Sequence, residues 1–149
     1  MTAVWDFVSE AIHSGSLDIT VAQKSKTRAQ EKMFHAMIGD IFKQVEFRDD
    51  TGRLLDIDRT WIKAVLIDDF SQEMLISGTP LAKPGRSTMS LDKMRIVQIR
   101  PSSSDFRVKE ASAFIEYLFA FGAQENVSWT DPETQAMYRD YFEREATGE

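Results

Sequence analysis

Residues 27–45, TRAQEKMFHAMIGDIFKQV, decide the fold. Phe34, Met37, Ile38, Ile41, Phe42 and Val45 recur at the three- and four-residue spacing that lays side chains along one face of an α-helix. Burying such side chains stabilises by roughly 1.5–3 kcal/mol each. Gly39 inside the same helix costs only about 1 kcal/mol relative to alanine. A glycine at that position points to close approach by another backbone. Thr27 is placed to cap the first turn through its hydroxyl, and Gln30, three residues on, completes a capping box.

Outward from this helix, Leu17, Ile19 and Val21 alternate with Asp18 and Thr20, a strand pattern, while residues 1–12 are ambiguous between helix and strand. On the other side, Asp49-Asp50-Thr51-Gly52 is turn chemistry. A second helix is expected from Asp58 to Phe70, capped by Asp56 or Asp58, with Trp61, Ile62, Val65 and Leu66 as its apolar face. Gly78 to Arg86, with Pro80, Pro84 and Gly85, reads as a loop. Met94 to Arg100 reads as a strand ended by Pro101 and by Ser102-Ser103-Ser104.

A third helix is expected from Arg107 to Ala120, with Val108, Ala111, Phe114, Ile115, Leu118 and Phe119 as its stripe and Gly122 just past its end. Ser104 or Asp105 is a candidate cap for it. The last helix opens at Thr130-Asp131-Pro132-Glu133, where Thr130 and Glu133 fit a capping box, and its apolar side is Met137, Tyr138, Tyr141 and Phe142. No repeat or linker divides the chain. The reading is a single α+β domain over residues 1–149, with about four amphipathic helices and a small β-sheet.

Composition narrows the function classes. Hydrophobic residues make up 42% of the chain, enough for a core, and no apolar run approaches the roughly 20 residues of a membrane helix. There is no cysteine, which removes disulfides, thiolate metal sites and cysteine nucleophiles. Residues 1–10 carry acids at Asp6 and Glu10 and no basic run, so the expectation is a cytoplasmic protein with no membrane partner.

The formal net charge of −6 argues against nucleic acid, but its distribution does not. Lys24, Lys26, Arg28 and Lys32 face one acid, Glu31, in residues 24–32. In residues 83–109, Lys83, Arg86, Lys93, Arg95, Arg100, Arg107 and Lys109 face only Asp92 and Asp105. Two net-basic segments on an acidic chain permit a basic surface, or else two separate solvated faces.

Catalytic patterns are thin. The two histidines, His13 and His35, stand alone, and no Gly-x-Ser-x-Gly, His-x-x-x-His or P-loop pattern occurs. The carboxylate pairs Asp49-Asp50, Asp56-x-Asp58 and Asp68-Asp69 read as a turn, a cap and a helix surface; Asp68-Asp69 is the pair to watch for metal. No catalytic residue, metal or cofactor is expected. The Ser-rich turn between Arg100 and Arg107 is either an ordinary turn before a helix or a phosphate cradle of hydroxyl and N–H groups.

The ordered set Lys26-Thr27-x-x-Gln30, Phe34-x-x-Met37-Ile38-Gly39-Asp40-Ile41 and Gln44-Val45-Glu46 resembles the phage NinB family, also called Orf recombination proteins. Leu55-Asp56, Trp61-x-Lys63, Ser102-Ser103-Ser104, Arg107-Val108, Glu110, Ala120-Phe121-Gly122 and Val127-Ser128-Trp129-Thr130-Asp131 continue the likeness from about Leu17 to Tyr141. Asp105, where the family has a basic residue, and the length of residues 78–93 depart from it.

The resemblance implies a small recombination mediator that forms ring-like dimers with a basic cleft. It implies binding to single-stranded DNA, assistance in recombinase loading and contact with the host single-strand-binding protein, in the cytoplasm of the host cell if phage-encoded. Together with the two basic segments it places DNA contacts at Lys24, Lys26, Arg28, Arg100, Ser102, Ser103, Arg107 and Lys109. Two other readings stand beside it: an adaptor that acts through single-strand-binding protein with little DNA affinity, and a metal-dependent nuclease using Asp68 and Asp69.

Overall fold

Thr27 opens the first helix as the sequence predicts. Its hydroxyl accepts from the Gln30 N–H at 3.0 Å, and the Gln30 carboxamide accepts from the Thr27 N–H at 3.0 Å. The computed structural model describes residues 26–148, so the expected strand at Leu17–Val21, the first dozen residues and Lys24 lie outside the described residues. Within them the order is α1 (Arg28–Gln44), α2 (Arg59–Ile76), β1 (Arg86–Met89), β2 (Ile96–Ile99), a 3-10 turn (Ser103–Asp105), α3 (Val108–Gln124) and α4 (Pro132–Thr147). The two strands form an antiparallel hairpin in which Arg86 pairs with Ile99 and Met89 with Ile96. The architecture is α+β, as expected.

Helix α1 packs chiefly on α3, with α2 across the pair. Phe34, Met37, Ile38 and Ile41 are buried, joined by Met33, while Phe42 at the edge of the stripe is more than a third exposed. On α3 the buried face is Ala111, Phe114, Ile115, Leu118 and Phe119, with Tyr117 beside them. Rings from four segments meet in this core. Phe114 lies 5.4 Å from Phe34, 5.1 Å from Phe70 and 5.4 Å from Phe106, centroid to centroid. Those separations suit edge-to-face and tilted aromatic contact.

Two glutamines set the direction of α1 against α3. The Gln30 amide donates to the Val108 carbonyl at 3.1 Å and to the Ser112 hydroxyl at 3.0 Å, at the start of α3. The Gln44 side chain exchanges two 2.7 Å hydrogen bonds with the Ser128 backbone, beyond the end of α3. Start lies by start and end by end, so the helices run parallel.

Several local expectations are corrected. Helix α2 continues past Phe70 to Ile76, and its buried face is Ile62, Leu66, Ile67 and Phe70. Trp61 and Val65 are therefore turned outward, 40% and 37% exposed. A face that stays on the core along the longer helix must include Phe70, which rotates the stripe away from Trp61. That indole instead meets the Phe47 ring edge-on at 6.1 Å. Arg86 leaves the loop and enters β1 because Ile99 is available to pair with it.

Gly39 is approached by a side chain rather than a backbone. A Cβ there would lie 3.2 Å from the Arg59 guanidinium. Neither Ser104 nor Asp105 caps α3. Ser102 caps the 3-10 turn, Arg107 is the N-cap residue of α3, and the buried Glu110 carboxylate accepts from its N–H at 2.9 Å. The other oxygen of Glu110 accepts from the Ala82 N–H at 2.8 Å and pins the 77–85 loop to the helix start.

Thr130 does not cap α4. Its N–H and hydroxyl both donate to the buried Asp40 carboxylate, at 3.0 and 2.8 Å, so Asp131 caps instead and Pro132 takes the first turn. Gly122 lies inside α3 rather than past it. The left-handed residue that ends the helix is Asn126, at φ 58°, a conformation asparagine tolerates.

The missing side chain at Gly122 admits the Trp129 indole, and a Cβ there would sit 2.7 Å from its Cη2, well inside contact distance. Gly122→Ala is therefore expected to destabilise the protein by about 1–3 kcal/mol through overpacking. Urea unfolding followed by tryptophan fluorescence measures it. An unchanged midpoint would mean that the 125–131 segment is not held against α3.

Candidate functional site

The parallel packing of α1 on α3 brings two helix N-termini together. At each start several N–H groups lack intrahelical partners, and each end carries about half a positive charge from the aligned peptide dipoles. Two such ends side by side repel each other and favour an anion between or above them.

The backbone before α1 is tied to the backbone before α3. The Lys26 N–H donates to the Phe106 carbonyl at 3.1 Å, and the Lys26 ammonium donates to the Ser104 carbonyl at 3.2 Å. The first basic segment thus meets the 100–109 end of the second at this junction, while Arg86, Lys93 and Arg95 belong to the hairpin. Arg28 is the exposed first residue of α1, Arg107 is the half-buried N-cap residue of α3, and Lys109 is exposed in its first turn. Arg100 is exposed just before Pro101 and donates to that residue's carbonyl at 3.1 Å.

The serines divide. Ser102 and Ser104 are exposed, and their hydroxyls share a 2.7 Å hydrogen bond. Ser103, expected at the surface, is buried under the 3-10 turn and is not available to a ligand in this arrangement. A tight three-residue turn cannot present three successive side chains on one side. Asp105 forms an exposed ion pair with Lys83 at 3.4 Å, which withdraws one cation of the second basic segment toward the loop.

Sequence reasoning missed two cations that join the cluster. Lys63, on α2, is part-buried, and its pKa is held down first by desolvation and then by Arg100 and Lys26, with Glu31 opposing. Arg59, one turn earlier on α2, stands over the Phe42 ring, 5.9 Å from its centroid. The available signal was the i, i+4 spacing of Arg59 and Lys63, readable only once the buried face of α2 is known.

His35 sits among these charges. Its imidazole is 3.8 Å from the Glu31 carboxylate and 4.9 Å, ring to ring, from Phe34. Its pKa is lowered from the ordinary histidine value, through burial first, then Lys63, then Lys26 and Arg59, against the pull of Glu31. The lowered values on Lys63 and His35 share one cause beyond burial: an excess of positive charge with a single nearby acid.

The carboxylates do not converge in the same way. Asp69 accepts a 2.6 Å hydrogen bond from the Tyr117 hydroxyl, and Asp49 is engaged within its own turn by Thr51 and Arg53. Among the described residues no group of three or more His, Asp or Glu side chains is placed to hold a metal ion, and no described helix is long and apolar enough to cross a membrane.

Known proteins are similar to this chain in sequence and fold. The profile of the NinB protein family matches residues 4–130. The P21 prophage-derived protein NinB of Escherichia coli O6:H1 (strain CFT073) is 29% identical over 119 residues, covering 80% of this chain and 70% of the relative. Protein ninB of Escherichia phage lambda has the same identity and coverage, and its counterpart in Salmonella phage P22 is 28% identical. A solved structure titled NinB superposes with a TM-score of 0.54 over 90% of this chain and 89% of the other, at 24% identity, which speaks for the fold. With the profile spanning most of its length, this chain belongs to the NinB family.

Proposed function

We propose that this chain is a recombination mediator that binds single-stranded DNA across the paired starts of α1 and α3, without catalysing a reaction. The observation that carries the reading is the Lys26 junction. It joins the first net-basic segment to the 100–109 end of the second and adds Lys63, beside Lys26 and Arg100, to one field. The contacts available are ammonium and guanidinium groups, free helix N–H groups and the Ser102 and Ser104 hydroxyls. These groups can hold phosphate and sugar without reading base edges, which favours sequence-tolerant binding. The part-exposed His35 ring at the same edge offers a face for stacking.

The engagement of Asp69 by Tyr117 supports a binding role over a nucleolytic one. In this reading the protein assists recombinase loading on DNA already coated by the host's single-strand-binding protein.

Fluorescence anisotropy on labelled oligonucleotides, single-stranded against duplex, tests it. Single strands should bind more tightly, and log K should fall by about 0.7 per log unit of salt for each phosphate contacted. Arg100→Ala and Lys63→Ala should each weaken binding and flatten that slope. Arg100→Ala should leave the melting temperature nearly unchanged, since an exposed charge contributes only about 0–1 kcal/mol. Wild-type affinity in both variants would sink this placement of the site.

The depressed pKa of His35 gives a second expectation. Burial holds the imidazole pKa down first, and protonation in the free protein also adds a cation to a field already positive. Phosphate removes that penalty and raises the His35 pKa, so binding takes up a proton. Affinity for single-stranded DNA should therefore rise as pH falls from 8 to 6, and His35→Gln should abolish that dependence. A pH-independent wild-type isotherm would place His35 outside the bound strand.

A further inference from the structure

Gly39 is buried in the middle of α1, and the side chain of Arg59 from α2 lies on it. A Cβ at Gly39 would be 3.2 Å from the Arg59 Nη2, 3.4 Å from its Cζ and 3.8 Å from its Nη1. Three guanidinium atoms at such similar distances mean that the group rests broadside on the helix. An edge-on group would bring one nitrogen close and leave the carbon well behind it. Three residues further along α1 the same guanidinium stands over the Phe42 ring, its Cζ 5.9 Å from the centroid. One face of the group is thus laid against α1, while Arg59 as a residue is exposed. Glycine weakens a helix interior relative to alanine, so α1 forgoes some helix stability where this seat is formed.

The seat is not made by an ion pair. The ion pairs among the described residues are His35–Glu31, Arg48–Glu46 and Lys83–Asp105, and none of them includes Arg59. Arg59 and Lys63 are one turn apart on α2, and both act on the His35 imidazole of α1. Lys63 also feels Lys26 and Arg100 at the paired helix starts. The α1–α2 seam therefore carries cations on its α2 side and the rings of His35 and Phe42 on its α1 side. It leads from the helix junction past Lys63 to Arg59.

A planar guanidinium held by one face presents the other to solvent. Arginine stacks on flat π systems in this posture, whereas a lysine ammonium has no face to offer. Nucleic-acid bases stack without regard to sequence, because every base has such a π face. We propose that Arg59 is a base-stacking residue: one base of the bound strand lies on the outer face of its guanidinium, which Gly39 and Phe42 hold in place. The strand then leaves the helix junction along the α1–α2 seam. This assignment, which rests on the reading of the junction as a single-stranded DNA site, adds a contact to a base where the junction holds phosphate and sugar. It also favours single strands over duplex, since the bases of a duplex are already stacked on one another.

Charge and shape are separated by Arg59→Lys, which keeps the cation and loses the plane. The probes are two labelled single strands of equal length, one normal and one abasic; the abasic strand keeps its phosphates and has no bases to stack. In anisotropy titrations the wild type should bind the abasic strand less tightly than the normal one. Arg59→Lys should lose roughly fivefold or more on the normal strand, the scale of one base–side-chain stack. It should bind the abasic strand as the wild type does and keep the wild-type salt slope, because no phosphate contact is lost. Gly39→Ala puts a methyl group where the guanidinium rests. It should weaken binding of the normal strand to a similar extent, with a melting temperature equal to or above that of the wild type. The two substitutions together should cost no more affinity than the stronger one alone.

Equal wild-type affinity for the two strands would overturn the assignment, as would wild-type affinity of Arg59→Lys for the normal strand. A loss of equal size on both strands would make Arg59 a phosphate contact and overturn it too. Wild-type affinity in Gly39→Ala would do the same, since the held posture is what makes the face available. In each of these cases the junction site stands if Arg100→Ala still weakens binding. A wild type that binds neither strand would overturn the junction site and the stacking residue together.

Discussion

The Phe114 ring is where the fold is joined. It touches Phe34 of α1, Phe70 of α2 and Phe106 of the segment before α3, and Tyr117 stacks 6.0 Å away on its own helix. Such a ring cluster fixes more than burial does. Edge-to-face contacts restrict the angle at which each neighbour approaches, so one side chain sets the relative rotation of three helices. Phe106 matters most for the site, because it lies between the 3-10 turn and α3. Its burial fixes the carbonyl that receives the Lys26 N–H, and thereby the distance between the two helix starts.

Parallel helices are electrostatically the less favourable pairing, since their dipoles align. The polar groups around the α1–α3 contact are arranged to offset this. Gln30 satisfies the Thr27 N–H at its own helix start and reaches the Val108 carbonyl at the neighbouring one. Glu110 brings a carboxylate into the first turn of α3, and Glu31 does so for α1. Even so, the basic side chains at the junction are more numerous than these acids. The same aromatic packing that forces the ends together creates the local positive field. Stability and positive charge pull in opposite directions there, and an anion bound at the junction would relieve the conflict.

What the sequence disclosed follows from the range of the interaction involved. Capping and turn chemistry act over three or four residues, so the Thr27 box and the Asp49 turn were readable. The helical stripes of α1 and α3 were readable because each helix buries one continuous face in the core, chiefly against the other. Helix α2 was misread because its face is chosen by Phe70, at the end of the expected span, and by what it meets across the core. The fates of Ser103, Thr130 and Gly122 depend on partners far along the chain: Asp40 is 90 residues from Thr130 in sequence. Local rules offered each of these residues a plausible role, and a distant partner assigned another. Lys63 belongs to the same class, since nothing within its own helix marks it as facing Lys26 and Arg100.

An acidic chain that attracts a polyanion needs its charges separated on the scale of screening. At physiological salt a charge is felt over about 8 Å, so a phosphate placed at the helix junction would respond to Lys26, Lys63 and Arg100 and hardly to the carboxylates of distant helix surfaces. The acids of α4 then act through exclusion. They disfavour a nucleic-acid strand on the α3–α4 face. Segregated charge thus gives one small domain two surfaces of opposite preference. The lowered pKa of Lys63 and the raised pKa of Tyr141 mark the two fields, after the effect of burial on each. A net charge of −6 averages them away, whereas the placement of α1, α3 and α4 keeps them apart.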